Sequence, residues 1–347
     1  MNTIPTTFNG TTTPYTAVGG KERIASTGLS AVIIGWHNSC MRRNFFQELE
    51  KTGFDNVISI ESTSPHYNIT ELSERYPFVR FIIPKREMNL GEQINLAASE
   101  IESPLFFVLR GNCKIIAGGT ARRMAERLSV IQEENNDKKN GFKRLCTVPL
   151  IMNSRYEVLP TLVAPVTHKR KLKTFPMGPS ADGNLSLYPF DGVGIYDRLR
   201  FMQLGGFDIT LNNTYWQFMD FGFRSHLWGE EIAFSLQLKI LYDEEITSED
   251  LTRKNSYRRF YLKNLAPVFR SDHAYLPLRQ FPGFLLRSGE DPFTAWEEFS
   301  ESRNWVKINK FRWRSDARSV TGRWEETSIN ENNVQWMQHG ILPGEIT

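Results

Sequence analysis

The chain has 347 residues, 40% of them hydrophobic and 23% charged, and carries a formal net charge of +3. This is an ordinary globular composition, long enough for one large domain with an extension or for two domains. The small charge argues against nucleic acid as a partner, and no apolar run reaches the ~18 residues of a transmembrane helix.

In chain order, residues 1–27 are rich in Thr, Asn and Gly and predict a flexible tail. Leu29 to Trp36 is a short apolar, β-branched run, the pattern of a buried parallel strand. From Met41 to Lys51 the spacing is helical, with Phe45, Phe46 and Leu49 on one side. Strands are expected at Val57 to Ile60, Val79 to Ile83, Leu105 to Leu109 and Leu145 to Leu150. Helices are expected at Leu90 to Ile101 and from about Gly119 to Glu134.

Strand and helix alternating in this way predict a mainly parallel α/β sheet whose ligand sits outside the carboxyl ends of its strands. The segments 36–39, 61–64 and 110–114 therefore matter most. Beyond them, Tyr156 to Val166 is rich in β-formers, and Phe175 to Pro189 reads as a Gly/Pro/Ser loop after a basic run, Lys169 to Lys173. A strand is expected at Val193 to Tyr196, and helices at Asp197 to Leu204 and Tyr215 to Trp228. The division expected is a tail at 1–27, an α/β domain at 28–247 and a mostly helical C-terminal extension at 248–347. Composition leaves open whether that extension packs on the domain or stands apart.

Cys40, Cys113 and Cys146 have no zinc spacing, and free thiols in a reducing, cytoplasmic setting are expected. The histidines, His226 among them, also lack metal-ligand spacing.

Five segments together resemble an inverting family-2 glycosyltransferase of the GT-A fold. They are Ser30 to Asn38 (SAVIIGWHN), Ile58 to Ser64 (ISIESTS), Asn89 to Asn95 (NLGEQIN), Phe190 to Asp208 (with DGVGIYDR and LGGFD) and Met219 to Gly229 (MDFGFRSHLWG). The resemblance covers roughly residues 29–245. It implies transfer of a sugar from a nucleotide-sugar donor, with a UDP-sugar in view, to an unknown glycan, lipid-linked or protein acceptor. A protein partner or homo-oligomer stays open, and nucleic acid is not expected.

On the donor side the resemblance points to Trp36 and Asn38, to Glu61 and Ser62, to Asn95, and to Arg110, Asn112 and Lys114. Glu61 would accept a hydrogen bond from the base edge. On the acceptor side it points to Asp191, Gly205, Gly206, Asp208 and Trp216, with Asp220 as the general base. Each has a plainer reading. Asp220 and Arg224 lie four apart on one helix and would pair, the glycines would serve the backbone, and Trp216 would pack in the core.

Two departures from the family pattern stand out. Where such enzymes carry a metal-binding Asp-x-Asp, this chain has Arg110-Gly111-Asn112. No cofactor is therefore expected. Mg²⁺ or Mn²⁺ stays open but is not supported by the motif, and Arg110 with Lys114 would hold the diphosphate instead. Second, the family's Glu-Asp pair just before the position of Asp220 is replaced by Gln217 and Phe218. The alternative is thus a catalytically inactive GT-A-like binding or scaffold subunit. A nucleotidyltransferase-like sheet is disfavoured, because no Gly-rich phosphate loop follows the first strand.

Overall fold

Short, fully buried apolar strands alternate with amphipathic helices. The computed structural model describes residues 13–23, 25–35, 42–64, 68–111, 113–116, 120–137, 142–168, 171–242, 250–252 and 254–328. In chain order the elements begin β1 (Tyr15–Gly19), β2 (Leu29–Ile34), α1 (Arg42–Thr52), β3 (Val57–Ile60), α2 (Ile69–Arg75), β4 (Val79–Pro84), α3 (Leu90–Glu100), β5 (Leu105–Arg110), β6 (Cys113–Ile115), α4 (Ala121–Asp137) and β7 (Lys143–Met152). They continue with β8 (Leu162–His168), β9 (Lys171–Met177), β10 (Gly194–Asp197), α5 (Arg198–Leu204), α6 (Thr214–Leu227), β11 (Glu230–Tyr242), α7 (Asn255–Phe260), β12 (Val268–Arg270), β13 (His273–Tyr275), α8 (Phe281–Ser288), α9 (Pro292–Asn309) and α10 (Ala317–Ser328).

Nine strands form one sheet in the order β1-β4-β3-β2-β5-β10-β7-β11-β6. Neighbours β4, β3, β2 and β5 are parallel, β10 runs against both β5 and β7, and β11 is parallel to β7. The sheet is therefore mainly parallel, with antiparallel β1 and β6 at its edges. Alternate residues of a strand face opposite sides, and β2 shows it directly. Leu29, Ala31 and Ile33 pack with Phe45, Phe46 and Leu49 of α1 and Met124 and Leu128 of α4. Val32 and Ile34 pack on the other face with Ile94 and Ala97 of α3 and the aromatic side of α6. Among the described residues no helix is long and apolar enough to cross a membrane.

Three segments depart from expectation. Tyr15–Gly19, inside the expected flexible tail, pairs with β4 from Tyr15↔Pro84 to Gly19↔Arg80. Residues 1–12 lie outside the described residues. The 162–177 region, expected as one strand and then a loop, is a β8–β9 hairpin. β11 carries no expectation at all, although it is the longest strand of the sheet. Its apolar alternation is broken by a register shift between Ser235 and Lys239, which hides the strand from a pattern search.

The C-terminal segment packs on the α/β layers. Val306, Trp313, Val320 and Trp324 belong to the same core cluster as α3 and α6. Trp228 stacks on Trp305 and meets Trp313 edge-on. A smaller cluster around Leu262, Phe284 and Phe299 joins α8 and α9. His226, fully buried between Ser186 O and Trp324, is pushed down to about 3 by burial and Arg323, so it stays neutral.

Glu230, at the opposite end of β11 from the candidate site, is pushed up to about 7, first by burial and then by Asp197, against the attraction of Arg200. Its raised value means the protonated form is favoured in the folded state. The resulting stability is fully present below about pH 4.5 and is lost as pH rises through about 7. The loss is on the order of 3 kcal/mol. Glu230→Gln removes this titration, so relative to the parent it should gain about that much on going from pH 4.5 to pH 8. Urea unfolding of both proteins at the two pH values checks this, and a pH-independent difference would refute the assignment.

Candidate active site at the strand ends

The carboxyl ends of β3, β2 and β5 lie side by side, and the turn that leads into β10 borders the end of β5 because Gly194 pairs with Val108. Ile34 is opposite Arg110, and Gly111 N–H donates to Ile34 O at 3.1 Å. Gly35 follows with φ +60°, and a Cβ there would lie 2.6 Å from Arg110 Cζ. Glycine suits this position for its left-handed backbone, and it leaves room for the guanidinium that lies against it. The Arg110 side chain is 12% exposed, and its Nε is buried with no hydrogen-bond partner.

Nε stands 3.9 Å from Asp191 Oδ2, too long for a hydrogen bond. Asp191 sits in the turn Phe190–Gly192 with φ 51° and ψ 23°. A left-handed non-glycine residue costs about 1–3 kcal/mol and marks a functional or over-determined position. Tyr242 Oη donates a short hydrogen bond to Asp191 Oδ2, and the Tyr242 ring meets Phe190 at 5.5 Å. The Asp191 side chain remains 30% exposed.

The other donor-side candidates are distributed unevenly. Glu61 closes β3, is 4% exposed, and accepts from Ser59 Oγ at 2.6 Å. It lies two strand spacings, about 10 Å, from Arg110. Ser62 next to it is exposed. Lys114 is 60% exposed and 3.4 Å from Glu48. It helps line a cavity of about 470 Å³ between α1 and β6, which neither Arg110 nor Asp191 lines. Trp36, Asn38 and Asn112 lie outside the described residues. Asn95 is engaged inside the protein. Its amide donates to Phe207 O and accepts from Phe207 N–H, both at 2.8 Å, and it is 4% exposed.

Apart from Asp191, the acceptor-side candidates Gly206, Asp208, Trp216 and Asp220 are buried and Gly205 is half-buried. Gly205 caps α5 in the left-handed region, and Gly206 O accepts from Arg224 at 2.8 Å. Trp216 is 4% exposed, donates to Thr252 O at 2.8 Å and packs on Tyr257 and Phe260. Asp208 and Asp220 are both fully buried and are bridged by Lys263 Nζ, at 2.8 and 2.9 Å. Arg259 adds a second cation to Asp208, while Arg224 and Asn264 complete Asp220. Burial alone would raise both carboxyls. Lys263, with Arg259 at Asp208 and Arg224 at Asp220, overcomes it and holds both below the usual carboxylate range.

Asp220 is thereby removed as general base. It has no exposed surface with which to meet an acceptor, and its cations weaken its hold on a proton. Its partners are Arg224 at i+4, Lys263 and Asn264. Gln217 and Phe218 on the same helix are buried as well. Gln217 accepts from Gly91 N–H and donates to Asn89 Oδ1 and Asp208 O. Phe218 packs on Tyr188 and Phe207 and would touch a Cβ at Gly192 at 3.6 Å. The sequence reading missed Lys263, Arg259, Asn264 and Tyr242. The first three lie in the C-terminal segment, far along the chain from the carboxylates they meet, and no local pattern announces such a pairing.

Among the described residues the end of β5 presents the Arg110 guanidinium beside the Asp191 carboxylate, a cation where a divalent metal would need oxygen ligands. Among the described residues no group of three His, Cys, Asp or Glu side chains converges as a metal site would.

No family model matches the chain, and no curated protein matches it. Solved structures do. The crystal structure of GalNAc-T7 with UDP, GalNAc and Mn²⁺ matches with a TM-score of 0.51 at 14% identity, over 83% of this chain and 57% of that one. This chain thus spans little more than half the length of GalNAc-T7. Crystals of S. aureus TarS 1–349 in complex with UDP-GlcNAc give 0.45 at 11% identity, over 79% of this chain and 71% of that one. The mannosyltransferase PcManGT from Pyrobaculum calidifontis, in complex with GDP-Man and Mn²⁺, gives 0.43 at 9%, over 91% and 86%. The likeness to GalNAc-T7 and the mainly parallel sheet flanked by helices establish a GT-A fold, as expected from the sequence.

Proposed function

We propose that this chain is a nucleotide-sugar glycosyltransferase, inverting in outcome, whose donor diphosphate is held by Arg110 rather than by a metal ion. The observation that carries the reading is the placement of Arg110 at the end of β5, flat against Gly35, with a buried and unsatisfied Nε. A guanidinium matches two phosphate oxygens at once and balances the charge that builds on a leaving diphosphate. UDP is the first donor nucleotide to try, since the GalNAc-T7 structure contains it.

Titration calorimetry with UDP and GDP tests the donor site. Binding of either nucleotide in the micromolar to sub-millimolar range is expected, and no binding at millimolar concentration would defeat the reading. The second reading, a binding subunit without turnover, is favoured by Phe218 and Gln217 at the positions of the family's Glu-Asp pair. Nucleotide binding without release of UDP from any UDP-sugar would select it.

A further inference from the structure

We infer that Asp191 is the general base of this site; the assignment rests on the donor reading above. With Asp220 sealed inside the protein and Phe218 apolar, the acceptor hydroxyl needs another carboxylate. Asp191 meets the requirement on four independent observations. It borders the strand ends beside Arg110, it keeps 30% of its side chain exposed, its backbone is held left-handed at φ 51°, and Tyr242 Oη fixes one of its oxygens.

The geometry suits in-line displacement. Arg110 Nε lies 3.9 Å from Asp191 Oδ2, and the terminal guanidinium nitrogens lie against Gly35. A phosphate oxygen hydrogen-bonded to them at about 3 Å would sit well beyond the guanidinium. The gap left between carboxylate and phosphate then holds one acceptor hydroxyl, hydrogen-bonded to Asp191, and the anomeric carbon about 3 Å beyond it.

In the step itself the acceptor oxygen forms a bond to the anomeric carbon as the bond from that carbon to the diphosphate oxygen breaks. The electron pair leaves with the nucleoside diphosphate, whose charge Arg110 balances. The acceptor hydroxyl proton passes to Asp191, and configuration inverts. No oxidant or further reactant is needed.

The test uses the full chain with water as acceptor, measuring UDP release from UDP-glucose, UDP-galactose and UDP-GlcNAc. Asp191→Asn keeps the shape and tolerates a left-handed backbone. It should bind UDP as the parent does while losing ~10²–10⁴-fold in kcat. Retained UDP affinity also shows that the variant is folded. Turnover in Asp191→Asn within threefold of the parent overturns the assignment, as does a parent that binds UDP and releases none from any donor. A parent that binds no nucleotide fails earlier, at the donor reading, and the two failures are told apart by the calorimetry.

Discussion

Lys263→Met should destabilise the protein by about 3–5 kcal/mol, the cost of breaking a buried ion pair from one side. The methionine keeps most of the side-chain volume, so little of the loss comes from a cavity. Two fully buried carboxylates lose the one cation they share, whose Nζ lies 2.8 Å from Asp208 and 2.9 Å from Asp220. The same Nζ also lies 4.5 Å from the centre of the Trp305 ring, so its contact with α9 goes as well. Against a typical total stability of about 5–15 kcal/mol this is a large share.

The pH dependence supplies a second signature. Both carboxyls are held below the usual range, so their contribution is present above about pH 4 and is lost as pH falls through their lowered values. In Lys263→Met that acid limit should move upward. Urea unfolding at pH 7 and pH 5 measures both effects. A loss under about 1 kcal/mol at pH 7 would show that Arg259 and Arg224 suffice, and that Lys263 does not hold the C-terminal segment to the sheet domain.

Arg110→Ala should weaken UDP binding by about 100-fold, roughly 2.7 kcal/mol, and leave thermal stability nearly unchanged. The asymmetry follows from its contacts. Among the described residues its ion pair is long, at 3.9 Å to Asp191, and its buried Nε has no hydrogen-bond partner, so the folded protein gains little from the guanidinium. A phosphate, by contrast, would meet the guanidinium in a largely desolvated position, with 12% of the side chain exposed. Arg110→Lys keeps the charge but loses the fork and should fall between parent and alanine. If Arg110→Ala instead lowered the melting temperature and left UDP affinity intact, the residue would be a structural element of the turn at Gly35.

The fold was legible because each central strand is a single apolar run buried on both faces, as at Leu29–Ile34 and Leu105–Arg110. The helices were legible by their spacing, with Phe45, Phe46 and Leu49 all landing in one cluster. Elements that depend on a distant partner were not. Tyr15–Gly19 is half exposed and becomes a strand through its pairing with β4. Asp220 shows the same limit at the site. Its neighbour Arg224 is visible at i+4, but the side chain that seals it, Lys263, comes from a later helical segment. The family resemblance pointed to a base where the packing makes a buried ion network, while Asp191 beside the end of β5 keeps part of its carboxylate exposed.

The most direct measurement is the UDP affinity of the parent protein by calorimetry in EDTA and again in Mn²⁺, with Arg110→Ala run alongside. The parent should bind with the same affinity in both solutions, and the variant should lose about 100-fold. Binding that appears only with Mn²⁺, or that is untouched in Arg110→Ala, would contradict the donor reading.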